Sequence, residues 1–183
     1  FSLCEYSLHD YKMRLKHLRP YDSDNLLINY ITEKAFFNLQ TTLFRRSSIK
    51  TKFDETLFKA QELEFFLRFL QQPILKYRKI DAILVKVRLH NNNITTGFTQ
   101  GNLLAINSEM DVRLKIIKTL LSIGSVKDVH LALQIYTRFL FQILSQGKTT
   151  IFFKYCFKLF YVLPLRYYTW ILKLFFMVSL VSL

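Results

Sequence analysis

The sequence is short of cysteine and glycine, and both shortages exclude classes of site. The two cysteines, Cys4 and Cys156, lie far apart and form neither a disulfide framework nor a CxxC zinc signal. With four glycines in 183 residues, the chain has no P-loop, no GxGxxG fingerprint and no GxSxG elbow. It also lacks HExxH, and its four histidines have no metal-ligand spacing. We therefore predict a protein that is not an enzyme and that uses no metal or cofactor.

Acidic residues are also scarce, and their distribution is uneven. The chain has 26 Lys or Arg against 13 Asp or Glu, a net charge of +13. After Asp128 no acid follows, whereas six basic residues do: Arg138, Lys148, Lys154, Lys158, Arg166 and Lys173. A solvated face normally mixes both signs of charge. The excess therefore predicts a polyanionic partner, either a nucleic acid or an anionic membrane surface.

Long uninterrupted apolar runs are missing from the aromatic C-terminal third. A spanning helix needs about 20 mostly apolar residues. Here Lys154, Lys158, Arg166 and Lys173 recur every seven residues or so, and the longest uncharged run of this third is the ten residues 174–183. This spacing argues against a single spanning helix. An interfacial segment with snorkelling lysines stays open.

The composition indicates a folded core and an AT-rich gene. Hydrophobic residues make up 51% of the chain, which argues against disorder. Amino acids with AT-rich codons (Phe, Tyr, Met, Ile, Asn and Lys) total 70, whereas those with GC-rich codons (Gly, Ala, Arg and Pro) total 22. Such a bias is typical of an AT-rich genome, either that of an organelle or that of an AT-rich protist. We expect a mitochondrial protein, which an organelle genome could encode.

Residues 1–80 are predicted to be a mainly helical N-terminal extension. "SDNLLINYITEKAFFNLQTTLF" begins with a Ser23 or Asp24 cap and carries apolar residues at near-helical spacing. "FDETLFKAQELEFFLRFLQQP" repeats this pattern and ends at Pro73. The basic "YKMRLKHLR" near the start is compatible with a nucleic-acid-binding arm.

Residues 81–108 are predicted to be a three-stranded meander. In "DAILVKVRLH", Ile83, Val85, Val87 and Leu89 alternate with the basic Lys86, Arg88 and His90, as in a half-exposed strand. "NITTGFT" and "NLLAINS" are the next two strand candidates. "NNN" and "QGN" would be the turns between them, because Asn and Gly tolerate positive φ.

The rest of the chain is predicted to alternate helices and strands. One helix spans roughly residues 110–123, and a second follows the capping box "SVKD" and ends at Gly147. "KTTIFFKY" (residues 148–155) reads as a strand, "LRYYTWILK" as a short helix after Pro164, and "LFFMVSLVS" as a last strand. The predicted fold class is α/β: a three-stranded meander followed by helix, strand, helix and strand, with a helical N-terminal extension.

The middle of the chain, "AILVKVRLHNNNITTGFTQGNLLAINS", resembles the opening of the universal small-subunit ribosomal protein S-eleven family. Asn91 and Asn92 match the paired asparagines of its first turn, with Asn93 as an insertion or a replacement. Gly101 and Asn102 match its "GN" turn, and Ser108 matches the serine that follows. The resemblance starts at residue 81. The family's glycine-rich "GFKG" segment and its basic "PHNGC" tail have no counterpart here.

The resemblance implies a structural role in an organellar small ribosomal subunit. Members of the family sit on the platform of that subunit and bind ribosomal RNA beside neighbouring ribosomal proteins. Residues 81–183 would then be the α/β RNA-binding domain. The expected RNA contacts are Arg88, His90, Asn91, Asn92, Asn93 and Thr96 at the first hairpin, and Lys148, Lys154, Lys158 and Arg166 on a second edge. Tyr167, Tyr168 and Trp170 beside Arg166 would either stack on bases or pack in the core.

A second interpretation is an accessory subunit of a mitochondrial inner-membrane respiratory or ATP synthase complex. It rests on the aromatic, lysine-punctuated C-terminal third and on the same AT bias. A meander with Asn and Gly turns favours the ribosome. A continuous helix across residues 150–180 favours the membrane.

Overall fold

The computed structural model describes residues 2–9, 15–19, 25–35, 37–73, 75–88, 96–170 and 172. The chain divides into two compact units, unit 1 (Phe1–Val112) and unit 2 (Arg113–Leu183). The architecture is mixed, with helices holding more of the described residues than strands do. The coarse expectation of a chain with both helices and strands is therefore confirmed.

Four strands of unit 1 pair through the first of them. These are β1 (Ser2–His9), β2 (Leu15–Arg19), β3 (Thr42–Leu43) and β4 (Arg78–Arg88). β1 pairs antiparallel with β2 and with β3, and parallel with β4. β4 confirms the strand predicted in "DAILVKV". β4 begins at Arg78, where its pairing with β1 also begins. It therefore continues across the predicted domain boundary between residues 80 and 81.

The prediction that residues 1–80 are mainly helical is wrong for the segment that forms β1 and β2. The pairing of β1 with β4 joins residues more than 70 positions apart, and such a non-local partner is invisible to a local pattern. The two predicted helices are present but shorter, as α1 (Leu26–Ile31) and α2 (Gln61–Phe69). α1 is capped by the Asn25 side chain rather than by Ser23 or Asp24.

Aromatic rings form the core of unit 1. Phe65, Phe66 and Phe69 on α2 are buried, and Phe37 is buried beside them. The ring centroids of Phe37 and Phe66 lie 4.9 Å apart, edge to face, and those of Phe44 and Phe69 lie 5.1 Å apart. These are the separations at which aromatic pairs add stability beyond their buried area.

The predicted meander is wrong after its first strand. Residues 96–99 form the short helix α3 (Thr96–Thr99), and "NLLAINS" enters the long helix α4 (Leu103–Ile123). The Asn102 side chain caps α4, since its Oδ1 accepts the Leu104 and Ala105 N–H groups at 2.9 and 3.1 Å. The four-residue apolar run within this segment cannot distinguish period 2 from period 3.6. The cap and the longer helical stripe decide for the helix.

Unit 2 contains the end of α4 followed by α5 (Val126–Ser145) and α6 (Thr149–Val162). The predicted capping box is confirmed, because Ser125 Oγ accepts the Asp128 N–H at 3.2 Å and the Asp128 carboxylate accepts the Ser125 N–H at 3.1 Å. Gly147 follows α5 with φ +70°, as a helix-ending glycine should. The Tyr136 hydroxyl of α5 donates to the Tyr155 carbonyl of α6 at 3.1 Å, a buried link between the two helices.

The strand predicted at residues 148–155 is also wrong. These residues lie in α6, whose buried positions Phe152, Tyr155, Cys156 and Leu159 follow helical spacing. The aromatic and β-branched composition suggested a strand, but the period of the buried positions is that of a helix. After Pro164 a 3₁₀ turn covers Leu165–Tyr167, close to the predicted short helix. The last predicted strand, residues 174–182, lies outside the described residues.

Candidate nucleic-acid interface

The helices of unit 2 bury one side each and turn basic side chains outward. On α5, Val129, Leu133, Tyr136 and Leu140 form a buried stripe. Lys127 and Arg138 lie on the other side and are exposed. Core packing of the apolar stripe therefore fixes where the cations point.

Among the residues of unit 2 that the structure describes, six basic side chains are exposed, and we call them the unit 2 cations. They are Lys115, Lys118, Lys127, Arg138, Lys154 and Arg166. They come from α4, α5, α6 and the turn after α6. Within residues 113–183 the sequence has ten Lys or Arg and one Asp or Glu. A surface of that composition carries a positive potential that attracts polyanions.

The single acid of unit 2, Asp128, lies in the first turn of α5. Asp128 is engaged at the start of α5, where its carboxylate accepts the Ser125 N–H and hydroxyl at 3.1 and 2.6 Å. A carboxylate in the first turn of a helix interacts with the positive end of the helix dipole. The negative charge of Asp128 therefore stabilises the start of α5, and unit 2 keeps its excess of basic residues.

Unit 1 handles charge differently, because two of its buried acids, Glu64 and Glu109, pair with bases. Glu64 is buried and accepts two hydrogen bonds from the Arg68 guanidinium, at 2.8 and 2.6 Å. This side-chain hydrogen bond is the main reason that the pKa of Arg68 is raised. Lys59 Nζ lies 3.5 Å from the Glu109 carboxylate, which is also buried. Residues 1–112 hold sixteen basic and twelve acidic side chains, so unit 1 has a much smaller net charge.

The structure describes the predicted contacts of the second edge in full, but on a helix instead of a strand. Lys148 is the half-buried N-cap residue of α6, and Arg166 is exposed after that helix. Lys154 and Lys158 lie one turn apart on α6, with their Nζ atoms 5.2 and 4.8 Å from the centroid of the Tyr155 ring. These two lysines therefore share one side of α6 around one ring.

The predicted contacts of the first hairpin are mostly beyond what the structure describes. Arg88 is the last residue of β4 and Thr96 the first of α3, and only their backbones are described. His90, Asn91, Asn92 and Asn93 lie outside the described residues. The RNA-binding role of these six residues stays a prediction.

The aromatic residues beside Arg166 differ in how deeply they are buried. Tyr167 is buried, with its ring edge-on to His130 at 5.7 Å, so it packs in the core. Tyr168 is half-buried and stacks on Phe160 at 4.7 Å. Trp170 is half-buried, and its ring lies 5.9 Å from that of His130. Core packing is the better description of Tyr167.

Sequence reasoning missed one basic segment of unit 1. Arg45, Arg46, Lys50 and Lys52 are all exposed within "RRSSIKTK", residues 45–52, which we call the basic loop. Four cations without an acid in eight residues is a charge run that the sequence itself displays. Asp54 and Glu55 follow directly and reduce the local net charge. The basic loop is therefore a smaller concentration of positive charge than the unit 2 cations.

No catalytic constellation accompanies these cations in the described part of the chain. No group of three or more His, Cys, Asp or Glu there could hold a metal ion. Burial raises the pKa of the Cys156 thiol to about 12, so it is a poor nucleophile at neutral pH. A cavity of about 580 Å³ in unit 1 is lined by Glu55, Asp111 and Ser108 among others, without histidine, cysteine or lysine. That the chain is not an enzyme stays a prediction.

The length and hydropathy of the helices decide whether one of them could cross a bilayer. Among the described residues, no helix is both long enough and apolar enough to cross a membrane. α6 ends at Val162, before Pro164.

Comparisons with known proteins add no relative. No protein-family model matches the chain, and neither a curated protein nor a solved structure matches it significantly.

Proposed function

We propose that this chain is an RNA-binding structural protein, a constituent of the small subunit of an organellar, mitochondrial ribosome. The charge of unit 2 carries the proposal: ten basic residues against one acid, with five exposed cations on α4, α5 and α6 and a sixth, Arg166, in the turn after α6. RNA is the polyanion that such a surface suits, because phosphate contacts supply affinity without any catalytic residue. The RNA contacts named above, from Arg88 to Arg166, belong to this proposal.

The choice of a ribosome over another ribonucleoprotein particle draws on composition and on the family resemblance. The AT-rich codon bias points to an organelle genome, and ribosomal proteins are among the products of such genomes. Of the residues that resemble the S-eleven family, Gly101 has φ +75° and Asn102 caps α4. The resemblance placed these two residues in a hairpin turn, whereas here they precede a helix. They therefore support the resemblance only weakly, and the charge of unit 2 is the stronger support for the proposal.

An accessory subunit of a mitochondrial inner-membrane complex is the second candidate function. Large apolar side chains exposed on α6 favour it, among them Phe157 and Tyr161. The two candidates differ in what the protein should sediment with when an organelle lysate is fractionated.

The test is a sucrose gradient of an organelle lysate without detergent, run at low and high salt, with and without ribonuclease. The proposal expects the protein in the small-subunit fractions, and expects ribonuclease to release it. Sedimentation with membranes regardless of ribonuclease and salt would contradict the proposal and support the second candidate. A protein found at the top of every gradient would contradict both.

A further inference from the structure

Helix α6 has a core-facing side that accounts for its position in unit 2. Phe152, Tyr155, Cys156 and Leu159 are buried, at spacings of three and four residues. The Tyr155 carbonyl accepts the buried hydrogen bond from Tyr136 of α5. These residues place one side of α6 in the core of unit 2.

The other side of α6 exposes large apolar residues, which we call the outer strip. These are Phe153 (41% exposed), Phe157 (57%), Phe160 (40%) and Tyr161 (84%), continued after the helix by Leu165 (79%). At about 100° of rotation per residue, the four aromatic residues fall within an arc of about 100°. Monomeric proteins rarely expose contiguous apolar groups in this way, and such patches mark interaction surfaces.

Cations border the outer strip. With the same rotation, Lys154 and Lys158 lie about 60° and 100° around the helix from Phe157, both towards the same edge. Arg166 is exposed directly after Leu165. No carboxylate side chain occurs on α6 or after it. The strip thus presents apolar rings with positive charge alongside, on a helix that carries no acidic side chain.

We infer that the outer strip docks the protein on the surface of an anionic lipid bilayer, with α6 lying in the plane of the interface. Apolar side chains on one side and lysines beside them define an interfacial helix: the rings enter the acyl boundary and the lysine stems extend towards the headgroups. The 14 residues of α6 span about 21 Å, less than the roughly 30 Å of a bilayer core, which suits a helix that lies flat.

A nucleic acid accounts for the outer strip less completely. Bases stack on exposed aromatic rings, but an aliphatic side chain such as Leu165, 79% exposed, offers no stacking surface. A lipid interface takes up aliphatic and aromatic groups alike. The inference goes beyond the proposed function, because RNA binding requires the charge of unit 2 and not its exposed phenylalanines.

The test is co-sedimentation of the full chain with vesicles. One set is phosphatidylcholine alone and the other contains phosphatidylglycerol. The test variant is Phe157→Ser, and its matched control is Ile123→Ser, because Ile123 ends α4 with an almost equal exposure of 56%. Losing one inserted phenylalanine should weaken the partition into anionic vesicles by about tenfold or more. Lys154→Gln should weaken this partition by less than Phe157→Ser does. Lys118→Gln on α4 should weaken it by less than Lys154→Gln does.

Three results would overturn the inference. They are equal vesicle binding by the Phe157→Ser and Ile123→Ser proteins, no binding of the parent chain to either vesicle type, and a Phe157→Ser protein that loses RNA binding while keeping vesicle binding. The last would assign the outer strip to RNA. Far-ultraviolet circular dichroism checks that each variant folds. If Phe157→Ser lost helicity, Tyr161→Ser would replace it, since Tyr161 is 84% exposed.

The inference and the proposed function can fail separately. Vesicle binding without ribosome association would leave the lipid surface standing and remove the ribosomal role. Ribosome association without vesicle binding would support the ribosomal role and overturn the lipid-binding inference.

Discussion

Unit 1 carries sixteen basic and twelve acidic residues, whereas unit 2 carries ten basic residues and a single acidic one. In unit 1 the ion pairs Arg68–Glu64 and Lys59–Glu109 each join a basic side chain to a buried carboxylate, so that their charges offset each other. In unit 2 the one carboxylate caps α5. The difference lies in the balance of charge: unit 1 nearly offsets its basic residues with acids, and unit 2 does not. Our proposal of an RNA partner rests on this excess.

The two cores also differ. Unit 1 is held by a cluster of phenylalanines around α2, while unit 2 is held by apolar stripes on α5 and α6. Substitutions in unit 1 should therefore act chiefly on stability, and substitutions of surface charge in unit 2 chiefly on binding. The predictions below run from the largest expected effect to the smallest.

The largest effect on stability is expected from Phe66→Ala. Phe66 is fully buried and its ring contacts those of Tyr30, Phe37 and Phe65. Truncation removes these contacts and leaves a cavity, which should lower the free energy of unfolding by about 3–5 kcal/mol. Urea unfolding measures it. Phe58→Ala is the control, because Phe58 is 49% exposed, and a loss as large there would contradict the assignment of the core.

Arg68→Met should have the next largest effect, because it removes two donors from a buried carboxylate. Glu64 keeps only 3% of its side-chain surface exposed, whereas Arg68 keeps 38%. The expected loss is about 1–2 kcal/mol of unfolding free energy. Arg46→Met, at an exposed position, should change stability by less than about 0.5 kcal/mol.

The same pair allows a second check. In a double-mutant cycle, Glu64→Gln should make the Arg68→Met substitution less costly, because the carboxylate that loses its donors is gone. Additive losses would show that the hydrogen bonds between these side chains contribute little.

In unit 2, Ser125→Ala should destabilise by about 1 kcal/mol, because it removes the hydroxyl that caps α5. Thermal unfolding followed at 222 nm measures the change. Ser122→Ala is the matched control, since the Ser122 hydroxyl only donates to the Thr119 carbonyl within α4. Ser125→Thr should retain most of the stability. Equal effects of Ser125→Ala and Ser122→Ala would contradict the role of the cap.

The smallest effect concerns the pH dependence of unit 1. Burial raises the pKa of Glu62, although the hydrogen bond from the Leu39 N–H opposes the shift. The folded state therefore holds the proton more tightly, so this contribution to stability is complete below the unfolded pKa and is lost as the pH rises through the folded pKa. Glu62→Gln should remove that loss and stabilise the protein at pH 7 by at most about 0.5 kcal/mol.

Unfolding free energies at pH 4, 5, 6 and 7 measure the Glu62 effect. The variant should show a flatter decline over this range than the parent protein. Glu55→Gln, at an exposed carboxylate, is the comparison. A steeper decline in the Glu62→Gln protein would mean that the sign of the shift is wrong.

Patterns that are local in the sequence predicted the structure well. "SVKD" specified its own capping box, and the stripe from Val129 to Leu140 specified α5. "AILVKV" specified a strand. In each case the residues that decide the structure lie within a few positions of one another.

Patterns that depend on distant contacts or on short runs failed. β1 forms because β4 pairs with it from across unit 1, and no local signal records that partner. "NLLAINS" and "KTTIFFKY" became helices because their buried residues continue a helical period beyond the run. For the candidate site, the excess charge of unit 2 was visible in the sequence, and so were the helices that carry Lys115, Lys118, Lys127 and Arg138. The position of Lys154 on a helix was not predicted.

The salt dependence of RNA binding tests the central claim most directly, that unit 2 is the anion-binding unit. The affinity of the full chain for a single-stranded RNA is measured from 50 to 400 mM salt. The triple variant Lys118→Gln, Lys127→Gln and Arg138→Gln is compared with the basic-loop variant Arg46→Gln, Lys50→Gln and Lys52→Gln. If unit 2 binds the phosphates, its variant should lower the slope of log K against log salt by about two, because each lost contact removes about 0.7. The basic-loop variant should change the slope by clearly less. A slope lost in the basic-loop variant and kept in the unit 2 variant would contradict the account.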